Sequence, residues 1–328
     1  MAAARDAASG GGYVTVSVVV PVFNAELTLR QLTAQIREAL APRATAYEIV
    51  LVNDGSADGS WAVIEDLATA HPDIRGLDLA RNSGQHNALL AGIRIASYEV
   101  IVTIDDDLQN PPREILRLLD ALSGPVDVVY GVPNVLSHEG WRNFTSKVTK
   151  WSLAYFMGAD TARHVSSFRA FRARLRDAFA DYRGPLVSID VLLTWGTSRF
   201  GAVTVDHEPR RLGRSHYTVW KLLTHAMNML TGFSTAPLQV ASFVGFLFFI
   251  FGALVFLFVI GRYFIGGGSP PGFAFIASII TLFAGAQLFA LGIIGEYLAR
   301  VHLRTMDRPS YTIRAAAEGV STVRTPHE

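Results

Sequence analysis

Two uncharged stretches, Val240 to Ile260 and Phe273 to Ile294, restrict the fold of this chain more than any other feature. Each is long enough to cross a bilayer, which takes about 20 apolar residues. A continuous apolar segment in lipid must close its backbone hydrogen bonds within itself, as a helix. The other reading is a buried helical hairpin of a soluble protein. Two successive helices apolar on every side over such lengths argue against it. The loop between the spans, 261–272, holds only Arg262 as a charge, whereas Arg210, Arg211, Arg214 and Lys221 precede them and Arg300, Arg304 and Arg308 follow. The positive-inside bias therefore predicts cytoplasmic termini on both sides of a two-helix hairpin. Gly285, Ala286, Ala290 and Gly292 are expected to allow close helix contact, and Gln287 to hydrogen-bond between helices. Trp220 to Phe233 is amphipathic and is expected to lie at the membrane surface.

Upstream of Pro237 the pattern changes. Strand-like runs at Val14–Val22, Tyr47–Val52, Ile74–Leu79, Val100–Ile104 and Val126–Tyr130 alternate with helix-like segments whose apolar residues recur at helical spacing, such as Leu29, Leu32, Ile36 and Leu40. Five such alternations predict a doubly wound α/β domain. Gly201 to Val205 alternates like an edge strand; Trp141 to Met157 and the segment after Ser166-Ser167-Phe168-Arg169 read as helical. The expected divisions are a disordered lead-in at 1–12, with no apolar core of a cleavable signal, the α/β domain at 13–215, a juxtamembrane segment at 216–236, the two spans at 237–299 and a cytoplasmic tail at 300–328. A chain ending near Ser234 is expected to keep its ligand pocket. Cysteine is absent, which excludes disulfides and thiolate metal sites, and a net charge of +1 gives no basic field for nucleic acid.

Chemistry concentrates at three strand ends: Pro21-Val22-Phe23-Asn24, Asn53-Asp54-Gly55-Ser56 and Asp105 to Gln109. In open α/β sheets, ligands sit beyond the carboxyl ends of the strands. The apolar run Val100–Ile104 stops at Asp105, Asp106 and Asp107, followed by Leu108, Gln109 and a Pro-Pro pair that opens the next helix. Three adjacent carboxylates repel one another unless a cation joins them, and their hard oxygens suit Mg²⁺ or Mn²⁺. The alternative is a solvated acidic loop. Asp54 offers acceptors for a ribose or base edge, although a plain turn explains Asn-Asp-Gly-Ser equally well. No GxxxxGK[ST] occurs, and no GxGxxG follows the first strand, so neither a P-loop ATPase nor a Rossmann dehydrogenase is supported.

The stretches PVFN, VNDGS, RNSGQHNALLAG, DDDLQNPPREI, SSFR, RRLGRSHY, FSTAPL and AGAQLFALGIIGEYLARV together resemble a family 2 glycosyltransferase, over about Val16 to Arg314. More narrowly, they resemble the membrane-anchored polyprenyl-phosphate glycosyltransferases. These are relatives of dolichyl-phosphate mannose synthase, and bacterial members load glucose or a formamido-arabinose onto undecaprenyl phosphate. The resemblance implies a GT-A fold with a mixed, Rossmann-like sheet in an inner or plasma membrane protein. It implies inverting, metal-dependent transfer of one sugar, UDP-linked, to polyprenyl phosphate of undecaprenyl or decaprenyl type for cell-envelope glycosylation. Membrane lipid and a second copy of the chain are implied partners.

By the same resemblance, Pro21, Phe23, Asn24, Glu26, Asp54, Gly55, Asn82, Asp105 and Asp106 would line the nucleotide sugar, with Arg210 and His216 on its phosphates. Asp105, Asp107 and Gln109 would hold the metal. Arg169, Arg211 and Ser215 would meet the acceptor phosphate, and Asp107 and Arg210 would be catalytic. The chain departs from the family pattern at Ala25, where Glu is usual, with Glu26 one residue late. It departs again at Asp106 for Ala, at His216 for Lys, and at Val-Ser-Ser before Phe168. A phosphate monoester with a second pKa near 6 is already an anion at cytoplasmic pH, so a strong general base is dispensable. Two other functions are weighed. A processive polysaccharide synthase would carry a Gln-x-x-Arg-Trp signature that is absent here. A non-catalytic nucleotide-sugar-binding protein is disfavoured by the presence of Asp105, Asp107, Gln109 and Arg210.

Overall fold

A computed structural model describes residues 14–122, 124–133, 164–184, 187–208, 236–266, 272–306 and 309–318. The lead-in, Trp141 to Met157 and Trp220 to Phe233 fall outside them. The chain forms two units, one made of 1–183, 187–216 and 309–328, the other of 184–186 and 217–308.

The first unit is built on β1 (Val14–Val22), β2 (Ala44–Asn53), β3 (Ile74–Leu79), β4 (Val100–Thr103), β5 (Val128–Pro133), β6 (Arg169–Arg172), β7 (Phe200–Val205) and β8 (Ile313–Glu318). They form one sheet in the order β7-β5-β6-β4-β1-β2-β3-β8. The β4-β1-β2-β3 centre is parallel, whereas β6 runs antiparallel to β4 and β5, and β8 antiparallel to β3. Helices α1 (Leu29–Leu40), α2 (Ser60–Ala70), α3 (Gln85–Ile95), α4 (Ile115–Leu122) and α5 (Ile189–Gly196) cover it.

Alternation along a strand sends neighbours to opposite faces. Val18, Val20 and Val22 of β1 pack with the stripes of α1, α2 and α4, and Val19 packs with α3 and α5 on the other face. Leu29, Leu32, Ile36 and Leu40 are all fully buried, each worth roughly 1.5–3 kcal/mol of transfer from water.

Two strands lie outside the sequence expectation. Arg-Ala-Phe-Arg, where the expected helical segment would begin, is instead β6, and a 3-10 turn (Ala173–Phe179) follows it. The supposed tail carries β8, so the α/β domain does not end at 215. A chain stopped near Ser234 would lack an edge strand of the sheet.

In the second unit, α6 (Ala236–Gly266) and α7 (Phe273–Thr305) are 31 and 33 residues long, roughly 45–50 Å at 1.5 Å per residue. Within them the candidate spans Leu238–Val255 and Leu282–Leu303 are almost wholly exposed, which suits lipid contact. The helices meet where Gly252 leaves room for the Phe283 ring, which also packs edge-on to Phe248 at 5.8 Å. Gly285 and Gly292 face open space, so of these glycines it is Gly252 that permits the close approach.

Candidate active site

The parallel register sets Val22, Asn53 and Asp78 side by side, so the loops after β1, β2 and β3 leave from one edge. The loop after β4 leaves there too, since Val19 pairs with Thr103.

Hydrogen bonds stitch these loops together. The Asn24 backbone N–H donates to Ser56 Oγ (3.0 Å), and Asn24 Oδ1 accepts from the Ala57 N–H (2.9 Å). Asn24 sits at φ 53°, a left-handed geometry that Asn tolerates better than most residues. Glu26 accepts the Gly59 N–H at the start of α2 (3.0 Å), so its carboxylate braces the two loops. Asp54 takes the Ser83 N–H on Oδ1 (2.7 Å) and the Gly84 N–H on Oδ2 (2.8 Å). Burial raises the Asp54 pKa and outweighs those two amides, which lower it. Gly55, at φ +65°, lies so close to Arg81 and Asn82 that a Cβ would come within 2.5 Å of the Asn82 nitrogen. This position therefore needs glycine. Pro21 is buried beneath the loops, while Phe23 and Asn82 are exposed beside them.

Strand β4 ends at Thr103, before the aspartates, so simple alternation does not govern them. Asp105 accepts from Gln85 Nε2 (2.6 Å) and Ser167 Oγ (2.5 Å). Asp106 accepts the Phe23 N–H (3.0 Å). Asp107 Oδ1 accepts the Gln109 N–H (3.1 Å). Burial, opposed by the Phe23 amide and reinforced by the neighbouring Asp105 and Asp107, raises Asp106 to about 6. Leu108 turns the chain at φ 60°, an unusual angle for leucine, and its buried side chain anchors the turn in the core. Gln109 O accepts the Glu208 N–H (2.8 Å), so the stretch entering 209–216 starts against this loop. Arg210, Arg211, Ser215 and His216 lie outside the described residues.

One expected site residue is elsewhere. Arg169 is 1% exposed; its guanidinium pairs with Asp190 and donates to Thr103 Oγ1 (3.1 Å). Asp190 also accepts from Tyr130 (3.0 Å). Arg169 is therefore an internal ion pair that holds β6 against β4, not a group facing an acceptor phosphate. Two residues that sequence reasoning did not assign, Gln85 and Ser167, orient Asp105; both sit inside the motifs RNSGQHNALLAG and SSFR.

Among the described residues, no three His, Cys, Asp or Glu side chains converge as a ready metal cluster. Mg²⁺ commonly takes only one or two carboxylates when substrate phosphates supply the remaining oxygens, so Asp105 and Asp107 with the Gln109 amide remain a fitting donor set.

The family described as Glycosyl transferase family 2 matches residues 17–183. The undecaprenyl-phosphate 4-deoxy-4-formamido-L-arabinose transferase of Shewanella sediminis is 33% identical over 311 residues, 94% of each chain. The protein of the same name from Proteus mirabilis is 33% identical over 303 residues, covering 91% of this chain and 93% of its own. Among solved structures, glucosyl-3-phosphoglycerate synthase of Mycobacterium tuberculosis, in complex with Mn²⁺, UDP and phosphoglyceric acid, superposes with a TM-score of 0.50 at 18% identity. That superposition covers 66% of this chain and 76% of that one.

Proposed function

The chain belongs to glycosyl transferase family 2, with a GT-A fold, and from that premise we propose that it transfers one sugar from a UDP-linked donor to polyprenyl phosphate at the cytoplasmic face of a membrane. One observation carries the proposal. Similarity to undecaprenyl-phosphate transferases extends over 94% of the chain, so it takes in both the strand-end loops and the two apolar helices.

The loops at Pro21–Asn24, Asn53–Ser56 and Asn82–Gly84 form the donor platform. Phe23 offers an exposed ring, and Asp54 holds the loop backbone in place. A divalent cation, Mg²⁺ or Mn²⁺, held by Asp105, Asp107 and Gln109, would offset the donor diphosphate charge and stabilise it as leaving group. Gln85 and Ser167 fix the Asp105 carboxylate for that task. Arg210 follows two positions after Glu208, whose N–H is anchored on Gln109 O. Arg210, Arg211, Ser215 and His216 supply the cationic and hydroxyl contacts that two approaching anions require. The acceptor oxygen is already ionised, so the residues' work is to bring the anions together rather than to remove a proton.

The topology supports a hairpin in the membrane. The chain leaves the sheet after β7 and re-enters it as β8, so the intervening segment must cross an even number of times, and α6 and α7 supply two crossings. The flanking arginines put both ends on the cytoplasmic side.

The test is to incubate membranes holding the protein with undecaprenyl phosphate, Mg²⁺ or Mn²⁺ and a panel of UDP- and GDP-sugars, with mass spectrometry of the lipids. A single sugar on the lipid phosphate, lost on chelation, is the expected product. A polymer, or no lipid product with any donor, would refute the proposal.

A further inference from the structure

The C-terminal strand reaches the donor platform through a chain of three side chains. Arg314 of β8 donates from Nε to Asp78 Oδ2 (2.6 Å), and Asp78 is only 1% exposed. Asp78 Oδ1 accepts from Asn53 Nδ2 (2.8 Å), and Asn53 Oδ1 accepts the Ser56 N–H (3.3 Å). Asn53 and Asp78 are register partners at the ends of β2 and β3. The β3–β8 ladder has an irregularity between Asp78 and Leu79, at the level of Arg314. The strand's entry is fixed separately, by the Ala80 N–H on Thr312 O (2.8 Å).

Chemistry gives this chain of contacts a direction. An ionised carboxylate only accepts hydrogen bonds, so Asp78 requires the NH₂ side of the Asn53 amide and turns its oxygen toward Ser56. A carboxylate this enclosed needs a charge partner, and Arg314 provides it. Remove the guanidinium, and the Asn53 amide loses the neighbour that fixes which of its ends faces the loop. That loop carries Asp54 and Gly55, which in turn hold 81–84.

We propose that Arg314 is a positioning residue for donor binding: the strand that follows the apolar helices sets the shape of the Asn53–Ser56 loop through Asp78 and Asn53. The inference rests on the donor platform proposed above. Glu318, at the other end of β8, pairs with Arg75 (2.9 Å) and touches no donor loop, so it serves as the internal control.

The experiment uses full-length protein in detergent and compares wild type with Arg314→Ala, Arg314→Lys and Glu318→Ala. The first measurement is amide hydrogen exchange across 53–57, which needs no ligand. Arg314→Ala should speed exchange there, Arg314→Lys should restore much of the protection, and Glu318→Ala should leave this loop unchanged. The second measurement is UDP titration with Mn²⁺. Arg314→Ala should weaken UDP by roughly ten- to a hundredfold, the range usual for residues that orient a binding group from behind. Turnover at saturating donor should stay within about twofold, so that the loss falls on KM. Unchanged exchange at 53–57 in Arg314→Ala overturns the proposal. So does equal loosening in Glu318→Ala, which would mean that the strand acts only as a brace. Faster exchange with unaltered UDP affinity overturns the link to donor binding. If wild type binds no nucleotide, the donor platform is wrong, and with it the link to donor binding.

Discussion

Asp127 and Asp54 are both carboxylates that the fold nearly closes off from water, yet their acidities move in opposite directions. Burial raises Asp127 too, but Thr197, Arg174 and Arg199 outweigh it and leave its pKa below the ordinary value. Arg174 and Arg199 approach it at 2.7 and 2.8 Å, with Arg172 at 3.6 Å. Asp54 is held by two backbone amides, and burial wins; Asp106, buried and beside Asp105 and Asp107, is pushed to about 6 despite its backbone amides. Amides fix where a carboxylate sits but contribute only part of a charge, whereas arginine discharges it. The carboxylates beside β5 and β6 are thus settled inside the protein and serve the fold. Asp54 and Asp106, held on backbone amides at the strand ends, stay harder to ionise than Asp127.

The largest effect should come from breaking an internal pair. Arg169→Ala leaves Asp190 charged and enclosed, and should cost about 3–5 kcal/mol, read by urea unfolding. Normal stability with lost use of the acceptor phosphate would return Arg169 to the site and undo the comparison. Asp107→Ala should do the reverse, lowering turnover by about 10²–10³ at an unchanged melting temperature; a matching fall in melting temperature would make Asp107 a fold residue. Asp127→Asn should cost only about 1 kcal/mol, because its arginines are half exposed and screened. Since folding depresses the Asp127 pKa, its contribution is present above the ordinary value of 3.8 and lost as pH falls through the lowered one. The variant and wild type should therefore converge in strong acid. The smallest effect concerns Asp106, raised from 3.8 to about 6. Its contribution is whole below the unfolded value and disappears as pH rises through the folded one. In metal-free protein, Asp106→Asn should raise the melting temperature by roughly 2–4 °C above pH 6 and by nothing below about pH 4. A gain of equal size at both pH values would show that burial does not govern this carboxyl.

The parallel half of the sheet was legible because its strands are uninterrupted apolar runs and its helices carry clear stripes. The meeting of Pro21–Asn24, Asn53–Ser56 and Asp105–Gln109 followed from that topology. What escaped was set by distant partners. Arg-Ala-Phe-Arg reads as the opening of a helix, with Arg169 offered to the acceptor phosphate; Asp190 and Thr103, from other elements, make Arg169 an interior residue. Ile-Arg-Ala-Ala-Ala-Glu favours helix by composition, and becomes a strand because β3 offers an unpaired edge. Strand alternation would turn Asp105 and Asp107 one way and Asp106 the other, but β4 stops short of them and a turn at Leu108 follows.

The late strand also bears on how the enzyme is made. Arg75 and Glu318 are 243 positions apart, and β8 emerges from the ribosome only after both apolar helices. At about 5–20 residues per second, the edge of β3 stands open for many seconds of synthesis, and an open edge invites wrong pairing. The sheet is therefore completed only after both apolar helices have been synthesised, and a chain truncated before β8 would carry an unfinished sheet.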